Sequence, residues 1–420
     1  MSGKTISEKI LSAKAGIDGH AGDLAVCEVD FALGTDASMP MAIDYYQQMG
    51  GERLLYPERL IVSLDHYAPA ASARTANLHA LTREFAAANS IRLFEAGNGI
   101  GHQHVIENGL TGPGDLAVGA DSHSVTYGAF NAFATGIGSS DLAAVMISGR
   151  IWLKIPESIR VEFEGSLPAG VYPKDIVLAL LKLLGSDGAS YRTLEFVGGG
   201  ASRLALEERL VLSNMSTEMG AKAAIFLADE KTERFLRERG RNSFEAIAPD
   251  PDAIYASTLQ LDLSELVPLI ARPHLPDNVA PVSEVAGTRV DMVFLGTCTA
   301  GQVRDFHEAH AVLKAAGGIT PGVQLVITPS SRSVMERLFT DGTMADLLAM
   351  GALLTTPGCG ACCGTAGAIP PDGANVISTA NRNFKGRMGN STASIFLASP
   401  ATCGAAAATG RITDPREFLA

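Results

Sequence analysis

Apolar runs of strand length, each closing on a polar or glycine-rich turn, punctuate this chain. Leu60 to Leu64 is one, and it delivers Asp65 and His66 at its end. Ile91 to Glu95 is another strand, followed by Gly97-Asn98-Gly99-Ile100-Gly101-His102-Gln103, a second strand-end loop carrying a histidine. A third strand runs through Gly114 to Ala120 into Asp121-Ser122-His123. Asp23 to Leu33 partly alternates and reads as a single strand, with Cys27 a buried, inert thiol within it. Later strands are expected at Val161 to Phe163, Leu194 to Val197, Asp291 to Leu295, Val323 to Thr328 and Val376 to Ser378. Helical spacing marks 4–20, 72–90, 173–185, 203–220, 229–240, 302–315 and 331–350. The alternation of strand, turn and helix is that of an α/β protein. Prolines recur between 246 and 287, and the later part of that run reads as an interdomain connection.

Ligands of open α/β sheets bind beyond the carboxyl ends of the strands, so polar residues there are candidates for chemistry. A strand-end Asp65-His66 alone is equally a cap or a core pair. Asp121, Ser122 and His123 are consecutive and cannot align as nucleophile, base and orienter of a triad. Three such loops in one chain favour a shared polar site. Asn214 and Glu218 lie four apart, on one face of the predicted helix 203–220, which is either a solvated face or a site wall. Thr379 to Arg387 is a compact cationic loop, with a solvated surface loop as the alternative.

Cysteine usage adds the sharpest signal. Three of six cysteines fall in Gly358-Cys359-Gly360-Ala361-Cys362-Cys363-Gly364. Cys359 and Cys362 form a C-x-x-C, which suits a redox pair, half a zinc ribbon or half an iron–sulfur site. Cys298 stands at a predicted strand-to-helix turn, where helix N–H groups favour a thiolate. Cys403 reads as core.

At 420 residues, two or three domains with ample core are expected. Hydrophobic residues at 46% and charged residues at 19% describe a globular enzyme rather than a disordered chain. A net charge of −12 argues against nucleic acid or an anionic membrane as partner. The amino-terminal stretch lacks the apolar core of a secretory signal, and no apolar run reaches the roughly eighteen residues of a span. The cysteines are too sparse for a disulfide scaffold, so a reducing compartment, the cytoplasm, is expected.

Cys298 followed by Cys359-x-x-Cys362, together with Gly119-Ala120-Asp121-Ser122-His123 and Asn381-Arg382-Asn383-Phe384-Lys385-Gly386-Arg387, resembles the aconitase superfamily. The similarity is greatest to the large subunits of 3-isopropylmalate dehydratase and homoaconitase, and it covers nearly the whole chain. The resemblance implies three α/β/α domains around a central 4Fe-4S cluster, divided here as 1–155, 156–285 and 286–420. It implies Cys298, Cys359 and Cys362 as cluster ligands with Asn214 beside them. The fourth iron, without a thiolate, would act as a Lewis acid on the substrate. Asp65, His66, His102, Asp121, His123 and Glu218 match the family's catalytic polar residues. Arg382, Arg387 and Ser122 match its substrate-binding ones. The family's base, a serine in a swivelling domain, has no counterpart in this chain. A small-subunit partner is therefore expected to carry the swivel domain and the serine.

The implied reaction is dehydration and rehydration of a small anionic hydroxy di- or tricarboxylate. 3-Isopropylmalate is the default, with homocitrate, 2,3-dimethylmalate or methylcitrate as alternatives. Rival readings are a non-catalytic binding protein on the same fold and a zinc or redox-disulfide protein. One departure stands out: the family's Thr-Asn-Gly-Arg after the first cysteine is here Thr299-Ala300-Gly301-Gln302. It removes an amide and a guanidinium beside the cluster. Cys363, adjacent to a ligand, is expected to point away from the metal.

Overall fold

Two sheets of the same winding organise the computed structural model, which describes residues 3–419. Met1 and Ser2, part of the stretch read for a signal, and Ala420 lie outside the described residues. The first sheet is parallel, in the order Arg92–Phe94, Leu60–Ser63, Phe31–Thr35, Leu116–Gly119, Phe133–Gly136. Its first strand in sequence is central, and the winding reverses there. Such a reversal opens a crevice at the carboxyl ends of the strands.

The seven-stranded sheet repeats this order in its parallel part: Leu353–Leu354, Gln324–Ile327, Met292–Leu295, Asn375–Ser378, Ser394–Ala398. The antiparallel strands Leu269–Ala271 and Val279–Pro281 complete it, the second of them at the edge. A four-stranded parallel sheet (Ala223–Phe226, Thr193–Val197, Ser158–Glu164, Ser257–Asp262) supplies the helix Leu206–Met215 between two of its strands. Phe163, Phe196 and Phe226 stack in sequence in a core that runs on into the seven-stranded sheet through Phe294, Val376 and Ile395. The mixed sheets and helices make an α/β fold, and among the described residues no helix is long and apolar enough to cross a membrane.

Several elements differ from their sequence reading for local reasons. The single strand expected over Asp23 to Leu33 is two, Leu24–Glu28 and Phe31–Thr35, in different sheets. Asp30 turns the chain between them: its carboxylate accepts from Leu116 N at 2.7 Å and pairs with Lys14 at 2.8 Å. The helix expected over 331–350 is broken into Arg332–Thr340 and Thr343–Ala349 at Gly342, whose φ is +87°. The proline-rich residues 272–277 are the loop between the two antiparallel strands of the seven-stranded sheet, closed by Arg272 N donating to Asn278 O at 2.8 Å, and not a connection between sheets.

Candidate active site

Asp65 and His66 follow Leu60–Ser63, and Asp121, Ser122 and His123 follow Leu116–Gly119, so the first sheet presents them at its carboxyl end. Cys298, the Cys359–Cys363 turn and the Arg382 loop occupy the same end of the facing sheet, after Met292–Leu295, Leu353–Leu354 and Asn375–Ser378. Between them lies a cavity of about 130 Å³ lined by His66, His102, Asp121 and His123 on one side and Cys298, Cys359, Cys362, Cys363, Arg382 and Arg387 on the other.

The histidines and carboxylates form one network. Asp121 Oδ1 accepts from His102 Nε2 at 2.9 Å and from the His123 amide at 2.8 Å, and its Oδ2 lies 3.4 Å from His66 Nε2. Burial pushes the Asp121 carboxyl up, but the charge and hydrogen bond of His102 and the bonds of His123 and His66 outweigh it and hold it well below the usual range. His66 Nδ1 bonds Asp65 Oδ1 at 2.7 Å. Burial pulls His66 down, yet the charges of Cys359 and Asp65 and its bonds to Asp121 and Asp65 keep it well above an ordinary histidine. Asp65 Oδ2 accepts from Gly101 N at 2.6 Å, which fixes the start of helix Gly101–Glu107. His102 therefore stands in a helical first turn rather than in the expected loop, with its Nδ1 on the Tyr127 hydroxyl at 2.8 Å.

Asn214 and Glu218 bond the residues that line the cavity, and do so from different elements. Helix Leu206–Met215 ends before a tighter turn, Ser216–Met219, so the single face expected for the pair is broken. Glu218 Oε1 takes His123 Nε2 at 3.1 Å and Arg382 Nε at 2.8 Å. Burial raises its carboxyl, but His123 and Arg382 together bring it below the ordinary value. Arg382 Nη2 also donates to Ser122 Oγ at 3.0 Å.

The sulfurs sit among N–H donors. Cys298 Sγ accepts from Asn214 Nδ2 at 3.1 Å and from Asn381 Nδ2 at 3.5 Å, and Cys362 Sγ from Arg387 Nη2 at 3.6 Å. Arg387 Nε is buried without a partner among the described residues. Burial pushes the Cys298 thiol up to about 12 and Cys359 well above its ordinary value, and a bound metal would take the place of those protons. Cys298, Cys359 and Cys362 on one cavity, with donors aimed at sulfur, fit an anionic iron–sulfur cluster. Asp65, His66 and Cys359 also bring one ligand atom each within 4.8 Å of one another.

Gly360 lets this cysteine turn press against the sheet. Its φ is +57°, and a Cβ there would stand 2.5 Å from Thr328 Oγ1. Gly360→Ala should therefore lower stability by about 2 kcal/mol in urea unfolding. An unchanged midpoint would show that the turn adapts.

A model of the aconitase family (aconitate hydratase) matches residues 8–288 and 283–410. The chain belongs to the aconitase family. The 3-isopropylmalate dehydratase large subunit 2 of Archaeoglobus fulgidus is 46% identical over 418 residues, which is 99% of this chain and 100% of that protein. A 3-isopropylmalate dehydratase large subunit of Methanopyrus kandleri is 43% identical over the same share of each chain. The probable methanogen homoaconitase large subunit of Methanosarcina mazei is 46% identical over 94% of this chain and 100% of that one. The structure of Thermococcus kodakaraensis aconitase X in its holo form superposes with a TM-score of 0.51 over 90% of this chain and 88% of that one. At 13% identity, this is a likeness of fold alone.

Within this family member, Gln302 turns from the cavity and donates to Gln103 Oε1, beside His102, while Ala300 is buried. Cys403 and Cys27 are fully buried, as read from sequence. Four residues of the network lacked a role in the sequence reading. Asn381 stands inside the motif that names Arg382. Asp36, which accepts from the His66 and Tyr67 amides at 2.9 Å each and from His79 Nε2, ends a strand just as Asp65 does. Tyr127 and Lys174 carried no local signal.

Proposed function

We propose that this aconitase-family hydro-lyase is the large subunit of an iron–sulfur enzyme that dehydrates and rehydrates a hydroxy di- or tricarboxylate, with 3-isopropylmalate as the leading substrate. The observation that carries the reading is the convergence of three cysteines, the Asp121 histidine network and two arginines on one cavity. Relatives at 43% and 46% identity that carry the 3-isopropylmalate name over their full length support the substrate. When bound, the cluster supplies Lewis acidity that turns a substrate hydroxyl into a better leaving group.

The chain's own residues do the rest. Arg387 and Arg382 offer guanidinium groups to substrate carboxylates, where a planar fork suits bidentate binding. Arg382 is held in place by Glu218 and Ser122, so it meets the substrate preorganised. His66, set between Asp65 and Asp121, lines the cavity and can hold or release a proton at Nε2 toward the departing or entering water. His102 and His123 orient the Asp121 and Glu218 carboxylates. The proton on carbon falls to a base that we assign to a small-subunit partner with a swivelling domain and its serine. The large-subunit names of the relatives support that partner.

Coexpression with a candidate small subunit, anaerobic purification and assay of enoic acid formation test the reading. The expected result is a brown complex that turns over 3-isopropylmalate faster than homocitrate, 2,3-dimethylmalate or methylcitrate. The relative from Methanosarcina mazei makes homocitrate the substrate to weigh first against it. A colourless, zinc-bearing protein without hydro-lyase activity would overturn the proposal.

A further inference from the structure

Lys174 occupies a position that stability alone disfavours. It stands in the first turn of helix Pro173–Leu184, where the helix dipole opposes a positive charge, and it is 2% exposed. Burial pulls its pKa down to about 8. Its hydrogen-bond partners among the described residues are two successive main-chain carbonyls, Thr379 O at 3.0 Å and Ala380 O at 2.7 Å. Those carbonyls belong to the turn that leaves strand Asn375–Ser378 and leads directly into Asn381 and Arg382.

The first two residues that turn delivers, Asn381 and Arg382, line the cavity. Asn381 Nδ2 donates to Asn214 Oδ1 at 2.7 Å and to Cys298 Sγ, and Arg382 reaches Glu218 and Ser122. Other contacts hold the turn's entry: Thr379 Oγ1 accepts from Gly296 N at 3.0 Å, and Thr299 Oγ1 donates to Thr379 O at 3.3 Å. Ala380 O has Lys174 as its donor. Two neighbouring carbonyls aimed at one point repel each other unless a cation lies between them. Without the ammonium, a buried carbonyl would be left unsatisfied and its peptide would gain reason to rotate.

We propose that Lys174 is a positioning residue, whose ammonium clamps the Thr379 and Ala380 carbonyls and so holds Asn381 on the Cys298 sulfur and Arg382 on Glu218 and Ser122. Its catalytic consequence rests on the reading of this cavity as the active site of a hydro-lyase. The clamp itself does not. A merely structural lysine would instead stabilise the core as a whole.

Hydrogen exchange on the full chain, without cluster or partner, separates these roles. In Lys174→Met, amides of residues 379–387 should exchange about tenfold faster than in the wild type, while strands Met292–Leu295 and Gln324–Ile327 keep their protection. Unchanged exchange at 379–387, or a uniform acceleration across the sheet, overturns the proposal. If Lys174→Met does not fold, Lys174→Gln, whose shorter amide retains a donor, gives the same comparison with a smaller rise of about threefold. In the assembled enzyme, Lys174→Met should raise KM about tenfold and lower kcat less, because the substrate-facing arginine is displaced while the Asp121 network is untouched. An unchanged KM overturns the positioning role. If the wild-type assembly turns over no hydroxy acid, the functional reading fails, and the exchange result still decides the clamp.

Discussion

Cys298→Ala, purified without air, should retain little of the roughly four iron and four sulfide per chain that a cubane requires, while remaining folded. The three proposed ligands come from two separate turns, after strands Met292–Leu295 and Leu353–Leu354. Cys298 alone holds the cluster from the first of them. The neighbours of its sulfur do not depend on it: Asn214 Nδ2 also donates to Thr126 Oγ1 at 2.8 Å, and Asn381 Nδ2 to Asn214 Oδ1. Truncation therefore leaves each amide nitrogen one of its two acceptors, and the fold should survive the loss of the ligand. Iron and sulfide analysis reads the cluster, and thermal unfolding reads the fold. Cys363→Ala is the control, since its sulfur bonds Thr365 Oγ1 at 2.8 Å and Cys298, Cys359 and Cys362 already complete the proposed ligand set. A full iron complement in Cys298→Ala would sink the ligand assignment.

Asp121→Asn should reduce kcat of the assembled enzyme about a thousandfold. Its carboxylate is the common partner of His102, His66 and the His123 amide, and an amide side chain can neither match its charge nor accept from all three. KM should change far less, because Arg382 is held by Glu218 and Ser122 and not by Asp121. Stability carries a second signature. The Asp121 carboxyl is held well below its ordinary value in the folded chain, so it contributes stability above the unfolded carboxylate value, about pH 4, and that contribution fades as pH falls through the depressed folded value. Wild type and variant should therefore differ most in Tm near neutrality and converge in acid. A variant with wild-type kcat would remove Asp121 from the machinery.

The elements that carry the site were legible because their signals are local. Leu60 to Leu64, interrupted only by Ser63, and Met292 to Leu295 are apolar runs of strand length, and the polar residues that follow each had to emerge at a strand end. Misreadings arose where one side chain redirected the backbone. Asp30 split an apparent strand by capturing a distant amide, and Gly342 broke an apparently continuous helix. His102 looked like a loop residue because the Gly-rich stretch before it hides a helix start, which Asp65 caps from another strand.

What the sequence determined by itself was the kind of protein and the inventory of its chemistry: an α/β chain, a Cys298 and Cys359-x-x-Cys362 set, strand-end histidines and a cationic loop. These follow from periodicity and short spacings, which act within a few residues along the chain. Only the tertiary structure decided which of those groups meet. Glu218 and Arg382 are 164 residues apart and share a bond, and His123 finds Glu218 across 95 residues. Lys174 reaches the turn before Arg382 across more than 200 residues. No local pattern specifies such contacts, because they depend on how two sheets of like winding pack with their carboxyl ends together. That packing turns scattered polar residues into a cavity where burial makes each charge depend on its neighbour.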